Sequence, residues 1–186
     1  MTGVRMQLAG QDAALSELDG IILRARNPRG MFESIGLSLV TSTQHRFEES
    51  QGPDGSPWPP SIRALATGGK TLIESARLMR SISYQASDSG VEVGTNVIYA
   101  AIHQFGGDIN QPARSGTVHF KTSKKTGKRL PGFRKASRAD EHRDVSIGAH
   151  TVHMPARPFI GLDDDDDREI LRIAEEWLAG SEGARP

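Results

Sequence analysis

Two apolar segments, each closed by glycine, constrain the fold of this chain most strongly. The first covers residues 99–107 and the second residues 155–161, and aromatic and charged residues are set in both. A polar, strongly basic interval separates them. Because both segments are apolar enough to be buried and the interval is not, the pattern predicts one compact core interrupted by a long arm.

Neither segment carries a catalytic arrangement. The chain has no Gly-x-Ser-x-Gly motif, no cysteine nucleophile and no carboxylate pair in a plausible cleft. Trp58 lies among three prolines, so its ring is held by a stiff loop and loses little entropy on docking, which predicts an interface or core anchor. We therefore predict shaped contacts and no enzyme activity, with these interface residues: Trp58, Pro59, Tyr99, His103, Phe105, Arg157 and Phe159.

The composition suits one domain with appendages. The 186 residues are 36% hydrophobic and have no cysteine, which excludes disulfides and cysteine-based metal sites. No apolar run approaches the roughly 20 residues needed to span a bilayer, and the N-terminus lacks a signal-peptide pattern. We expect a protein made and used in the cytosol, with no cofactor and no membrane contact.

The formal net charge is zero, but the two signs are segregated along the chain. Residues 114–143 contain ten Lys or Arg against two acidic residues, and residues 163–169 contain six acidic residues against Arg168. Opposite patches suit head-to-tail contact between copies, and they are equally typical of solvated surface.

Hydrophobic spacing predicts several helices. Leu8, Leu15 and Ile22 lie seven apart, as do Leu18 and Ala25, which favours an ordinary amphipathic helix over a coiled coil, ended by Asn27-Pro28. Further helices are predicted over residues 30–49, after the Pro-rich turn at 51–60, over 72–79 and over 163–178, and residues 98–105 are predicted to be a short helix or a buried segment. The acidic run 163–167 is best explained as the start of the last helix, where the dipole favours negative charge.

Two β features are predicted. Ile82, Tyr84 and Ala86 alternate, as do Val91 and Val93 after a turn, which indicates a hairpin. Residues 117–120 and 151–154 are near-copies, so we expect them to pair through Val118 and Val152 as the legs of a β-ribbon with a mobile basic tip at about 122–140.

The predicted fold is therefore α+β, a small antiparallel β-sheet packed with helices, plus a long projecting β-ribbon arm. We divide it into an N-terminal helix at 1–30 and a single domain at 31–186, with the basic ribbon inserted at about 110–154. Tyr99, Ile102, Phe105 and Phe159 form the densest apolar cluster, which we expect to pack on the hairpin.

The tip of the ribbon is the best candidate for nucleic-acid contact, because its cations could neutralise phosphates without reading bases. Aromatic residues interleave it sparsely, so a protein-contacting arm is at least as well supported. The residues concerned are Lys121, Lys124, Lys125, Lys128, Arg129, Arg134, Lys135 and Arg138.

Signals for bound ions or nucleotides are weak. The Gly-Gly-Lys-Thr run at 68–71 resembles the end of a phosphate-binding loop, but Ala64 stands where that loop needs glycine. His119 and His153 would come close if the ribbon paired as proposed, which leaves a metal-dependent hydrolase as a third hypothesis.

Several segments, taken in order, resemble the phage virion morphogenesis family, which includes Mu-type and P2-type tail-completion proteins. One departure is Ala76, where the family pattern leads us to expect glycine. The matching pieces are Gly-Pro-Asp-Gly at 52–55 with Trp-Pro-Pro at 58–60, residues 72–75 and 78–82, residues 93–96, residues 99–107 and residues 155–161.

The resemblance implies a non-enzymatic virion protein that acts in head–tail joining or tail completion. It also implies an α+β subunit that assembles as a homo-oligomeric ring, sixfold or twelvefold, around the DNA channel with other neck and tail proteins. Such a protein would be assembled in the host cytoplasm and reside in the neck or tail of the virion. The alternative is a nucleic-acid-binding module that uses the basic arm.

Overall fold

The computed structural model describes residues 11–123 and 125–180. It contains helices and short antiparallel sheets, so the predicted α+β class is confirmed. The helices are α1 Gln11–Arg26, α2 Arg29–Glu49, α3 Ile62–Thr67, α4 Arg77–Arg80, α5 Ala100–Phe105 and α6 Asp164–Ala179. The strands are β1 Ser83–Ala86, β2 Val91–Gly94, β3 Gly107–Gln111, β4 Arg114–Phe120, β5 Glu141–Ile147 and β6 His150–Met154, and a 3-10 turn covers Ala136–Arg138.

The chain forms two compact units. Unit 1 comprises Met1–Phe105 and Pro155–Pro186, and unit 2 is Gly106–Met154. Within the part of the chain that the structure describes, no helix is both long and apolar enough to cross a membrane. The division into an N-terminal helix and a single domain, and the projection of the ribbon as an arm, stay predictions.

The core of unit 1 is built on two aromatic contacts. The Phe47 ring of α2 meets the Trp58 ring edge-on, with centroids 5.4 Å apart, and meets Phe159 at 5.1 Å. Leu78, Ile82, Val97 and Ala100 complete the cluster of buried residues. Burial of such large side chains contributes most of the stability of a small domain.

The predicted hairpin β1–β2 is confirmed, with Tyr84 opposite Val93 and Ala86 opposite Val91. It packs on α2, where Gly36 lies against Tyr84 and Val91 so closely that a Cβ atom would overlap them. The hairpin therefore reaches the helix backbone through a position that only glycine can occupy.

The helix predicted over residues 72–79 is wrong except at its end, because only Arg77–Arg80 is helical. Leu72 and Ala76 adopt left-handed backbone, with φ of 61° and 56°. A single left-handed residue breaks the i to i+4 hydrogen bonds of a right-handed helix, so apolar spacing there does not reflect a helical face. Ala76 occupies this conformation at the position where the family resemblance leads us to expect glycine.

Unit 2 consists of an antiparallel hairpin whose ladder is interrupted once. The β3–β6 and β4–β5 pairings follow the same register, with Gln111 opposite His150 and Arg114 opposite Ile147. Two residues on each leg separate the ladders, including Pro112, which cannot donate a ladder hydrogen bond.

The predicted pairing of residues 117–120 with 151–154 is wrong. Val118 faces Arg143, and Val152 faces Ile109. In an antiparallel hairpin, paired residues lie equally far from the turn. Residues 117–120 adjoin the tip whereas 151–154 adjoin the base, so their similar sequences cannot face each other.

Helices α1, α2 and α6 confirm the predictions at those places, although Leu8 lies outside the described residues. The acidic run also has the predicted role. The Asp163 side chain accepts hydrogen bonds from the backbone of Asp165 and Asp166, and Asp166 reaches back to the Asp163 N–H, which completes a capping box.

Candidate functional site

The segments that carry the family resemblance meet in unit 1 around Trp58. The Trp58 backbone N–H donates to Ser50 O at 2.8 Å, and its indole Nε1 donates to Pro158 O at 2.9 Å. The ring itself is buried against Phe47. Of the two roles predicted for Trp58, interface or core, its position within this chain is that of a core anchor.

Gln104 of α5 clamps the 155–161 segment. Its Oε1 accepts hydrogen bonds from the Phe159 and Ile160 N–H groups at 2.9 and 3.1 Å, and its Nε2 donates to Ile160 O at 2.8 Å. One side-chain amide thereby satisfies three backbone groups of a partly buried segment. Sequence reasoning missed Gln104, because nothing in an isolated Gln indicates such a contact.

Arg157 of the 155–161 segment makes hydrogen bonds to α5 and to the Pro-rich loop. Its backbone N–H donates to His103 O at 2.7 Å, and its Nε donates to Pro59 O at 2.7 Å. Burial lowers the pKa of Arg157. Burial, reinforced by the Arg157 charge, also lowers the pKa of His103, whose buried Nδ1 has no hydrogen-bond partner within the described ranges. A neutral imidazole is therefore favoured at this position.

An apolar surface, called here the α5 face, is exposed along α5 and the turn that precedes it. Ile98 in that turn is 99% exposed and Phe105 at the end of α5 is 79% exposed, whereas Ala100 is buried and Gln104 hydrogen-bonds to the 155–161 segment. The expectation that Tyr99 and Phe105 pack on the hairpin is therefore wrong, because both are exposed, while Phe159 is buried as expected. A six-residue helix offers one inward face, and Ala100 and Gln104 occupy it.

A buried ion pair ties α2 to the start of α6. Arg46 Nη2 contacts Asp163 Oδ2 at 2.8 Å and also Asp166 Oδ2, while its Nη1 donates to Gly161 O at 2.6 Å. Arg46 and Asp166 are both buried. Burial alone would raise the pKa of Asp163, but its hydrogen bonds, led by that from Arg46, lower it overall. From the sequence, only the acidic start of the last helix was predicted here, and the ion pair with Arg46 was not.

A cavity of about 1150 Å³ lies between α2 and α6. Its charged walls are largely satisfied internally: His45 lies 3.0 Å from Glu49, Arg172 pairs with Glu169 and Glu176, and Arg46 is already engaged. Such walls have little free charge with which to bind a ligand, so the cavity is best explained as a groove in the scaffold.

The basic tip of unit 2 contains one paired cation and several free ones. Arg129 pairs with Glu141 and lies over the Phe120 ring, 4.1 Å from its centroid, and Phe133 packs on Phe120 at 5.6 Å. The hydrogen bond from Arg129 lowers the pKa of Glu141. Lys124 lies outside the described residues. Six cations have no ion pair within the described ranges: Lys121, Lys125, Lys128, Arg134, Lys135 and Arg138. The mobility predicted for residues 122–140 stays a prediction.

The two histidines proposed for a metal do not come together. His119 lies opposite His142, and His153 Nδ1 lies 2.7 Å from Asp108 Oδ1. The proposed pair depended on the incorrect strand register. Across residues 11–123 and 125–180, no group of three His, Asp or Glu side chains is placed to hold a metal ion.

This combination, an α+β fold with a clamped core and a basic hairpin, is accompanied by direct sequence similarity. The sequence model of the phage virion morphogenesis family matches residues 11–179, so the chain belongs to that family and works in phage virion assembly. It is also 31% identical, over 94% of its length and 96% of the other protein, to the Mu-like prophage FluMu G protein 2 of Haemophilus influenzae. No solved structure matches the chain.

Proposed function

We propose that this protein is a structural subunit of the neck or tail that acts in tail completion or head–tail joining. In this role it forms a homo-oligomeric ring, sixfold or twelvefold, together with other neck and tail proteins. It is assembled in the host cytoplasm and performs no catalysis. Membership of a virion morphogenesis family supports the general role, and the surface of α5 supports the specific one.

The observation that most directly supports a subunit contact is the exposed α5 face. Ile98, Tyr99 and Phe105 are exposed while the residues between them are fixed by the Gln104 clamp and the Arg157 contacts. Exposed apolar groups on a rigid support lose little conformational entropy when they bind, which is what a repeated subunit contact requires. We assign Tyr99, His103 and Phe105 to the contact itself, and Trp58, Pro59, Arg157 and Phe159 to its support.

The experiment compares two matched double variants. Ile98→Ser with Phe105→Ser removes the α5 face, and Ile62→Ser with Leu65→Ser removes two comparably exposed apolar residues from α3. Each is supplied in trans to the phage lacking its own copy, and particles are examined by electron microscopy. We expect the α5 variant to fold, by circular dichroism, yet to leave heads and tails unjoined or tails incomplete.

The α3 control should assemble particles like the wild type. Normal particle yield from the α5 variant would refute the proposed contact. A reconstruction of the particle that places the protein outside the neck and tail, or without rotational symmetry, would refute the proposed role.

A second candidate function is contact with nucleic acid, which the six unpaired cations of the basic tip favour. If all six neutralise phosphates, log K should fall with log salt concentration with a slope of about −5. Replacing the six by Gln should abolish that dependence, whereas Arg77→Gln with Arg80→Gln, two exposed cations of unit 1, should not change it. A salt-independent affinity for duplex DNA would reject this function.

A further inference from the structure

We propose that α1 is a second assembly surface, through which two copies of the chain pair with their α1 helices antiparallel. The inference rests on the proposed homo-oligomeric function and adds a specific partner, a second copy, to it. Three observations carry it: how α1 is attached, which side is left exposed, and how its charges are distributed.

Helix α1 contacts the rest of unit 1, at α6, through its polar side. Arg24 Nε and Nη2 donate to Leu178 O at 2.9 and 2.7 Å, and Trp177 Nε1 donates to Arg24 O at 3.2 Å. Gly20, one turn earlier, is half-buried beside the Arg24 guanidinium. The side that faces α6 is therefore made by a glycine, an arginine and backbone groups.

The apolar stripe faces away from this attachment. Leu15, Leu18 and Ile22 are 58%, 54% and 46% exposed. Gly20 lies two residues on from Leu18, about 200° round the helix, so the stripe and the attached side are nearly opposite. Apolar stripes on helices normally face the core. Here nothing within residues 11–123 and 125–180 covers the stripe, so it is placed to meet another molecule.

The charges beside the stripe identify that molecule as a second copy. Asp12, Asp19 and Arg26 lie seven residues apart and therefore share one edge of the stripe. In an antiparallel pair Asp12 of each copy lies beside Arg26 of the other, and Asp19 lies beside Asp19 at the centre. The edge therefore makes two opposite-charge contacts against one like-charge contact, whereas a parallel pair in register sets every one of these charges level with its own counterpart. Neither Asp12 nor Arg26 has an ion-pair partner in the part of the chain that the structure describes.

The apolar layers match in the same arrangement. Centring two antiparallel helices between Leu18 and Ile22 places Leu18 opposite Ile22 of the second copy, and Leu15 opposite Ala25. The helix dipoles are then also antiparallel, which is the favourable orientation. The patch on one copy is therefore complementary to the same patch on the second copy, as a twofold interface requires.

The first experiment measures association of the full chain by sedimentation equilibrium. We expect a dimer or a multiple of dimers whose affinity falls at least tenfold in Leu18→Asp with Ile22→Asp. The matched control, Ile62→Asp with Leu65→Asp on α3, should associate like the wild type. A monomeric wild-type chain, or an α1 variant with unchanged affinity, overturns the proposal.

The second experiment tests the antiparallel geometry. Asp12→Lys and Arg26→Glu should each associate more weakly alone, because each places like charges together in its own dimer. An equimolar mixture should regain association, since the two substituted positions then face each other with opposite charges. The unchanged Arg26 of the first variant likewise meets the unchanged Asp12 of the second. A mixture no stronger than the separate variants overturns the pairing.

These outcomes are separable from the proposed function. If α1 pairing fails while the α5 variant still blocks particle assembly, only the further inference is lost. If the α1 charge-swap mixture associates but the protein is absent from the neck and tail, only the proposed function is lost.

Discussion

Replacement of Arg46 by Met tests whether α2 and α6 are held together by a buried ion pair. Arg46 contacts Asp163 and Asp166, and its removal leaves the Asp166 carboxylate buried without its cation. Breaking a buried pair in this way costs about 3–5 kcal/mol. For a chain of this size, that corresponds to a fall of about 6–20 °C in Tm.

Arg172→Met is the matched control. Arg172 also contacts two carboxylates, those of Glu169 and Glu176, but the cluster is open to solvent. Solvent screening and side-chain entropy cancel most of the attraction in such surface pairs, so the control should unfold close to the wild-type midpoint. Both variants are measured by urea titration, which reports the free energy of unfolding directly.

A third variant isolates the stranded charge. Combining Arg46→Met with Asp166→Leu removes the buried cation and the more deeply buried of its two carboxylates. It should recover part of the loss, because an apolar pair can replace a buried ion pair, while Asp163 keeps its charge and its N–H loses the Asp166 cap. If Arg46→Met and Arg172→Met shift the midpoint equally, the Arg46 contact is no stronger than a surface pair and the reasoning is refuted.

Three further predictions concern unit 1. Phe159→Ala should lower the free energy of unfolding by about 3–5 kcal/mol, whereas Phe105→Ala, exposed on α5, should lower it by less than about 1 kcal/mol in the same urea titration. Ala76→Gly should be at least about 1 kcal/mol less destabilising than Ala64→Gly, because Ala76 is left-handed and Ala64 is helical; equal midpoints would show that position 76 is unstrained. The lowered pKa of His103 means that the unfolded chain binds a proton at this residue more readily than the folded chain does, so the stability should fall as the pH drops below about 6.5. His103→Gln should flatten that part of the stability profile, measured by thermal melts at about pH 5 to 8.

The sequence predicted those elements whose signal is local. The stripe of α1, the length of α2 and the acidic cap of α6 are each determined within one helix, and the β1–β2 hairpin is marked by its turn at 87–90. The predicted pairing of 117–120 with 151–154 failed because sequence likeness carries no information about distance from the turn. Apolar spacing at 72–79 likewise does not reveal the left-handed backbone of Leu72 and Ala76.

For the candidate site, the sequence predicted which segments take part but not the contacts that join them. Trp58 and Phe159 are aromatic and stand beside prolines, so their importance was visible in the chain. Gln104 and Arg46 were missed because their roles depend on backbone carbonyls and carboxylates more than 50 residues away. A polar residue becomes a clamp only once the fold has brought those distant groups to it.

The clamp beside α5 has a consequence for how unit 2 of this chain can be altered. The chain leaves unit 1 after Phe105 and returns at Pro155, and both crossings are tied within a few residues by His103, Gln104 and Arg157. Since the ends of the excursion are fixed by unit 1 itself, changing its length alters only a slowly varying closure entropy. We therefore expect unit 1 to stay folded when a hairpin of different length or charge replaces unit 2 between these tied ends.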